Sequence, residues 1–181
     1  MSGQPTLTTD RLVLRPFTAD DAPAVQELAG ERDIAYNTAL VPHPYPEGAA
    51  EEWIGTHAGA YEAGRQVVFA ITLREAGKLV GSVGLTLVPE HRHAEMGYWI
   101  GKPFWGRGYA TEAARRVVRF GFDELDLHRV QAHCFARNGA SRRVLEKAGL
   151  RYEGRRRGYV LKWGEFLDVD QFGLLADDGT A

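Results

Sequence analysis

Residues 100–113 read Ile-Gly-Lys-Pro-Phe-Trp-Gly-Arg-Gly-Tyr-Ala-Thr-Glu-Ala, and they form the most informative stretch of the chain. A predicted strand, Ala94–Ile100, ends here, a turn with Gly106 and Gly108 follows, and a helix begins. The start of a helix has unpaired N–H groups and the positive end of its dipole. Glycine lets that backbone approach a bulky anion without a Cβ in the way. The stretch therefore predicts a phosphate or pyrophosphate cradle, although two glycines can also simply make a tight turn.

Two other phosphate-binding motifs are excluded in this stretch. The pattern GxxxxGK[ST] is missing, because no Lys-Ser or Lys-Thr follows the glycines. The dinucleotide pattern GxGxxG also fails, because Thr111 occupies the position of the third glycine. The anion is therefore expected to be neither the triphosphate of ATP nor a nicotinamide cofactor.

The elements around this turn predict one α/β domain. Helix periodicity follows Gly108, with apolar residues repeating from Ala114 to Leu125. The predicted order is β-α-α-β-β-β-α-β-α-β-β, so we expect a mixed, mostly antiparallel sheet of about seven strands flanked by about four helices. The predicted strands are Arg11–Phe17, Gln66–Arg74, Lys78–Val88, Ala94–Ile100, His128–Ala136, Leu150–Tyr152 and Glu165–Leu175.

Length and composition indicate a single cytoplasmic domain. The chain has 181 residues and a net charge of −2, so it has no basic excess to hold a nucleic acid. Its one cysteine, Cys134, cannot form an internal disulfide. No apolar run approaches the roughly 20 residues of a membrane span, and no signal peptide is recognisable. We expect one domain over 1–181 with a core of about 7–175. We expect no membrane partner and no metal, and a homodimer is possible.

Two polar side chains are candidate catalytic groups. Ser141 lies three and four residues before Val144 and Leu145, so a helix over Asn138–Ala148 places it on the inward face. Its hydroxyl either bonds back to a carbonyl one turn earlier or donates to a bound ligand. Asn138 suits the N-cap of that helix.

Glu95 is the second candidate. Alternation along Ala94–Ile100 places it on one face with Gly97 and Trp99, beside the space that a glycine leaves. A carboxylate there either has a raised pKa and acts as a general base, or is a solvated charge on an edge strand.

Two motifs together resemble the GNAT superfamily of N-acetyltransferases. The first is Trp105–Ala113 (WGRGYATEA), and the second is Asn138–Leu150 (NGASRRVLEKAGL). More narrowly, the chain is similar to the branch that includes the ribosomal-protein N-terminal acetyltransferases RimJ and RimL. The segments Arg11–Phe17, Glu95–Ile100 and Glu153-Gly154 also fit, and the resemblance extends over nearly the whole chain.

The resemblance implies an acetyl-CoA-dependent transferase with a sheet that splays between its fourth and fifth predicted strands. Pantetheine would lie in that gap, and Glu95 would be the general base, acting either directly or through a water molecule. In many relatives a tyrosine protonates the thiolate, but that position is Leu145 here, so the acid role would fall to Ser141 or to water. The implied cofactor-binding residues are Trp99, Ile100, Gly106, Arg107, Gly108, Tyr109, Ala110, Thr111 and Asn138.

The predicted reaction moves acetyl from acetyl-CoA to a primary amine by direct attack. The acceptor stays open between a protein N-terminus and a small-molecule amine, because the segments that would shape its pocket carry no motif. The alternative from another class is a non-catalytic acyl-CoA sensor. Retention of both Glu95 and Ser141 favours the enzyme.

Overall fold

An eight-stranded sheet forms the centre of the protein in a computed structural model that describes residues 3–178. Its strands are β1 (Leu7–Thr8), β2 (Leu12–Arg15), β3 (Gln66–Leu73), β4 (Leu79–Val88), β5 (His93–Ile100), β6 (Arg129–Phe135), β7 (Arg151–Lys162) and β8 (Glu165–Leu175). They follow the order β1-β2-β3-β4-β5-β6-β8-β7, and β5–β6 is the one parallel pair among them. The mixed, mostly antiparallel sheet is confirmed. The additional strand is β1, whose two residues are too few to show an alternation.

Within residues 3–178, six α-helices connect these strands. They are α1 (Ala22–Ala29), α2 (Arg32–Asn37), α3 (Ala49–Gly55), α4 (His57–Glu62), α5 (Tyr109–Asp123) and α6 (Gly139–Lys147). The helix predicted over residues 47–63 is divided at Thr56, whose hydroxyl donates to the Trp53 carbonyl at 2.7 Å. Such a bond competes with the regular helix ladder. Helix α2 was not predicted, because six residues are too few to establish a 3.6-residue period.

Helices cover both faces of the sheet. The α5 residue Phe120 packs edge-on against Phe69 of β3 at a ring distance of 5.6 Å. On the opposite face, Val25 and Ala29 of α1 line one cavity with the neighbouring position Val68 and with Ser82 of β4. Because successive side chains of a strand point to opposite faces, α5 and α1 are on different sides of the sheet. The central strands are consequently buried on both faces.

The sheet opens between β5 and β6. These parallel strands pair over three positions, His93 with Arg129, Ala94 with Val130, and Glu95 with Gln131. Beyond Glu95 they diverge, which confirms the predicted splay. The gap begins beside Glu95, the carboxylate that the sequence analysis proposes as a catalytic group.

The C-terminal hairpin is longer than predicted. The expected three-residue strand at 150–152 is the twelve-residue strand β7, and its register against β8 shifts twice. Gly154 and Gly158 lie at these shifts with φ of +146° and +56°, which breaks the alternation that would have marked a long strand. Among residues 3–178, no helix has the length and apolar character needed to cross a membrane.

Candidate active site

A cavity of about 470 Å³ lies where β5 and β6 diverge. Its walls include Glu95 and Trp99 of β5, His133 of β6 and Ser141 of α6. Gly97 adds open space, because a Cβ built there would meet nothing within 4 Å. The structure therefore brings together both predicted catalytic residues and the predicted gap beside Glu95.

Glu95 is hydrogen bonded to an imidazole. Nδ1 of His133 is 2.9 Å from Oε1 of Glu95. This bond, opposed by burial and assisted by Gln131 and Arg156, holds the pKa of the Glu95 carboxyl below its ordinary value. The expectation of a raised pKa is therefore wrong, because a hydrogen-bond donor rather than an apolar wall faces the carboxylate. The alternative of a solvated charge on an edge strand is also incomplete, because the Glu95 carboxylate is hydrogen bonded and lines a cavity.

Ser141 bonds across the gap. Its Oγ lies 2.7 Å from the hydroxyl of Tyr98, so the partner is a side chain of β5 and not a carbonyl of its own helix. Burial raises the pKa of Tyr98 to about 12, so the phenol stays protonated and can share its proton with Ser141. The two hydroxyls form a short chain of exchangeable protons at the cavity wall.

Backbone donors of β5 also face the gap. The Gly101 N–H donates to the Val80 carbonyl at 2.8 Å. Because hydrogen-bonded pairs alternate along antiparallel strands, the N–H groups of Tyr98 and Ile100 point away from β4 and toward the divergence. The Ile100 carbonyl accepts from the Trp105 indole at 2.5 Å. The Ile100 N–H thus lies where the resemblance places the cofactor arm.

The glycine turn forms a second, exposed cleft. Gly106 and Gly108 have φ of +73° and +80°, and Gly108 is the N-cap of α5. Arg11 fixes the turn by donating to the Arg107 carbonyl at 2.9 Å, and its guanidinium lies over the Tyr109 ring. Ala110 belongs to the first turn of α5. The cleft, of about 810 Å³, is lined by Thr8, Thr9, Asp10, Arg11, Gly108, Thr111, Glu112, Arg115, Arg116, Arg119 and Lys147.

Asn138 has a structural role. Its Oδ1 accepts from the Ser141 N–H at 3.0 Å and so caps α6. This bond fixes the backbone of Ser141, whose hydroxyl faces the cavity. Leu145 is fully buried one turn later, in the core. No group of three or more potential metal ligands occurs in the part of the chain that the structure describes.

A loop between α2 and α3 forms the outer wall of the cavity, and Lys162 holds it. The ammonium donates to the carbonyls of Thr38, Ala39 and Val41 at 2.5, 3.4 and 3.2 Å. Lys162 is 9% exposed, and the same loop lines the cavity. The tip of the β7–β8 hairpin thus sets the position of this wall.

Comparisons with known proteins agree with this geometry. Residues 11–151 match the family described as the acetyltransferase (GNAT) domain. The chain is 34% identical to an uncharacterized N-acetyltransferase of Bacillus subtilis, YoaA, over 94% of this chain and 97% of that one. The chain belongs to the GNAT acetyltransferase family. The predictions of the family and of an enzyme are confirmed.

Solved GNAT structures share the fold. A GNAT acetyltransferase from Bacillus anthracis superposes with a TM-score of 0.85 at 26% identity, over 96% of this chain and 99% of that one. Mycobacterium smegmatis RimJ, solved with CoA-disulfide, gives a TM-score of 0.83 at 25% identity, over 92% and 83% of the two chains. A CoA compound in a GNAT relative of this kind agrees with the predicted donor.

Two residues at this GNAT site were missed by the sequence analysis, His133 and Tyr98. Both lie on predicted strands, but alternation along β5 puts Tyr98 on the face opposite Glu95, and no local pattern marks His133. What the sequence does not contain is the register of the parallel pair, which brings Gln131 opposite Glu95 and His133 within reach of its carboxylate.

Proposed function

We propose that this GNAT protein transfers the acetyl group of acetyl-CoA directly to a primary amine. The observation that carries the proposal is the cavity at the splay, which unites a carboxylate–imidazole pair and a hydroxyl pair with backbone donors of β5. Direct transfer needs positioned groups and little covalent chemistry. Cys134 is buried, and burial raises its pKa to about 11, so it is not an activated nucleophile.

The cofactor binds along β5 and the glycine turn in this proposal. The turn and the first N–H groups of α5 hold the pyrophosphate, and the arginines of the adjacent cleft supply positive charge. Pantetheine then follows the gap-facing backbone of Tyr98 and Ile100 toward Ser141, whereas the predicted contact to the Trp99 backbone is lost because that backbone faces β4. The Ile100 N–H is a donor that can stabilise the oxyanion formed when the amine attacks the thioester.

The Glu95–His133 pair and the Ser141–Tyr98 pair carry out different proton transfers. An ammonium group has no lone pair, so it must lose a proton before it attacks, and Glu95 with its partner His133 receives that proton. When the C–S bond breaks, the CoA thiolate gains a proton from the Ser141 hydroxyl. Ser141 is replenished from Tyr98 or solvent, because the two oxygens are 2.7 Å apart.

The acceptor is a protein N-terminus or a small-molecule amine. The loop that Lys162 of the β7–β8 hairpin holds forms the outer wall of its pocket. Arg155 of this hairpin does not carry a free charge toward the pocket, because Asp170 accepts from it at 2.7 and 3.1 Å.

The test is acetyl transfer to a panel of amines. The purified chain is incubated with acetyl-CoA and a peptide with a free N-terminus, an L-amino acid or a polyamine. Thiol release is followed, and products are identified by mass spectrometry. We expect amine-dependent release and an N-acetylated product. Tight binding of acetyl-CoA with no transfer to any amine would instead support the sensor alternative.

A further inference from the structure

We infer that the atom that accepts the amine proton is Nε2 of His133, and that Glu95 is a positioning residue for this ring. The inference deepens the proposed function and rests on it. The sequence marks Glu95 as the base because it is the carboxylate at the splay. The structure adds an imidazole that is hydrogen bonded to that carboxylate and also lines the cavity.

The hydrogen bond selects one form of the imidazole. With Nδ1 2.9 Å from Oε1 of Glu95, a neutral ring carries its proton on Nδ1 and donates it to the carboxylate. The lone pair is then on Nε2, where it can accept a proton. A carboxylate that orients an imidazole in this way also stabilises the imidazolium formed after the transfer. This arrangement makes the ring the base and the carboxylate its support.

The charge distribution also disfavours Glu95 as the accepting group. Hydrogen bonding from His133 and Gln131 and the positive charge of Arg156 stabilise its anionic form, against the effect of burial. A stabilised carboxylate is a weak base toward an ammonium group, whereas the neutral imidazole keeps a free lone pair on Nε2. Across β6 the residue paired with His133 is the neutral Gln171 of β8. Arg156 is a further charged group that acts on Glu95 of the pair.

The divergence of the sheet explains why the pair forms here. Glu95 is the last β5 residue that pairs with β6, and its partner is Gln131. His133 is two positions further along β6, so it shares the face of Gln131. With no β5 residue opposite it, the imidazole reaches back to Glu95 and lines the open cavity.

The proton transfer balances as a simple acid–base step. An N–H bond of the ammonium group breaks, its electron pair stays on nitrogen, and a new N–H bond forms at Nε2. The freed lone pair attacks the thioester carbon. The imidazolium, paired with Glu95, later releases its proton to solvent, which restores the neutral ring.

The first experiment compares His133→Gln with Glu95→Gln and with His93→Gln as a matched control. His93 is also on a strand of the splayed pair but is not among the cavity residues. Turnover is measured at saturating acetyl-CoA and amine, and acetyl-CoA binding by calorimetry confirms that each variant is folded. We expect His133→Gln to lower turnover at pH 7 by roughly 10²–10⁴-fold, Glu95→Gln by roughly tenfold, and the control not at all.

The pH profile separates a base from a structural residue. The defect of His133→Gln should shrink to less than about tenfold near pH 9.5, where a larger share of the amine enters neutral. Glu95→Gln should show a smaller defect than His133→Gln at each pH, because it keeps the imidazole and removes only the group that orients it. A defect of His133→Gln that is equally large at all pH values would overturn the inference.

Nitrogen NMR of the unmodified protein provides a readout that does not depend on a variant. At about pH 8 we expect His133 with a protonated Nδ1 and a free Nε2. Protonation on Nε2 instead, or turnover of His133→Gln within about threefold of the parent, would overturn the inference and leave acetyl transfer intact. Absence of transfer by the unmodified protein to every amine would overturn the proposed function, and the inference with it.

Discussion

Replacing His57 with phenylalanine should make the folded state less sensitive to acid. His57 is 6% exposed, and its ring lies 4.5 Å from that of Trp53 and 5.4 Å from that of Phe17. Among residues 3–178, neither ring nitrogen has a hydrogen-bond partner. Burial without a partner lowers the pKa of His57 to about 4.

The sign and size of the effect follow from this shift. In the unfolded chain the imidazole binds a proton below its ordinary pKa of about 6.5, whereas the folded protein binds it only near pH 4. Stability is therefore fully present above about pH 6.5 and is lost as the pH falls toward 4. Between about pH 7.5 and pH 5, this single group should lower the free energy of unfolding by about 2 kcal/mol.

Urea unfolding at the two pH values measures this loss. We expect the parent to lose about 2 kcal/mol more than His57→Phe between about pH 7.5 and pH 5. The matched control is His91→Phe, which removes an exposed imidazole and should behave as the parent does. Parallel losses in the parent and His57→Phe would refute the reasoning, because they would mean that His57 is protonated equally well in both states.

Three further predictions concern the site. Gly108→Val should lower the affinity for CoA at least about tenfold, as measured by calorimetry. The reason is that φ of Gly108 is +80° and the N–H groups of α5 must approach the phosphates. The control Gly77→Val, at φ +63° in a remote turn, should leave the affinity for CoA unchanged. Ser141→Ala should lower chemistry-limited turnover roughly tenfold, about 1.4 kcal/mol, with unchanged acetyl-CoA binding; an unchanged rate would remove the hydroxyl from the reaction. Lys162→Met should raise the KM of the amine roughly tenfold but not the KM of acetyl-CoA. The substitution leaves three carbonyls of the loop that forms the outer cavity wall without their donor. Equal effects on the two KM values would contradict a role of Lys162 in shaping the amine pocket.

The parts of the fold that the sequence predicted are those determined by local pattern. The strand, the glycine turn and the helix at residues 94–123 follow from alternation, from two glycines and from a 3.6-residue stripe. All three signals lie within one continuous stretch. The hairpin after Leu150 was predicted too short because its glycines and register shifts interrupt the alternation, and the sheet still continues through them.

The chemistry of the site depended on contacts between distant segments. Alternation placed Glu95 beside the open space at Gly97, and helical periodicity placed Ser141 on an inward face; the cavity bears out both positions. The partners of these groups, His133 and Tyr98, come from the register of β5 with β6 and from the packing of α6. Neither is encoded by a local period, so the direction of the Glu95 pKa shift was predicted wrongly.

The short parallel seam between β5 and β6 has a consequence for the lifetime of the protein. Three residue pairs join a block of five strands to a block of three, so the seam has few backbone bonds to resist opening. The gap-facing amides of Tyr98 and Ile100 should therefore exchange hydrogen early, before those of β3 and β4. A ligand held in the gap binds only the form in which this seam is closed. It therefore shifts the equilibrium between the closed and the open form toward the closed form. The rate at which cellular proteases remove this chain should accordingly fall when acetyl-CoA is abundant and rise when it is scarce.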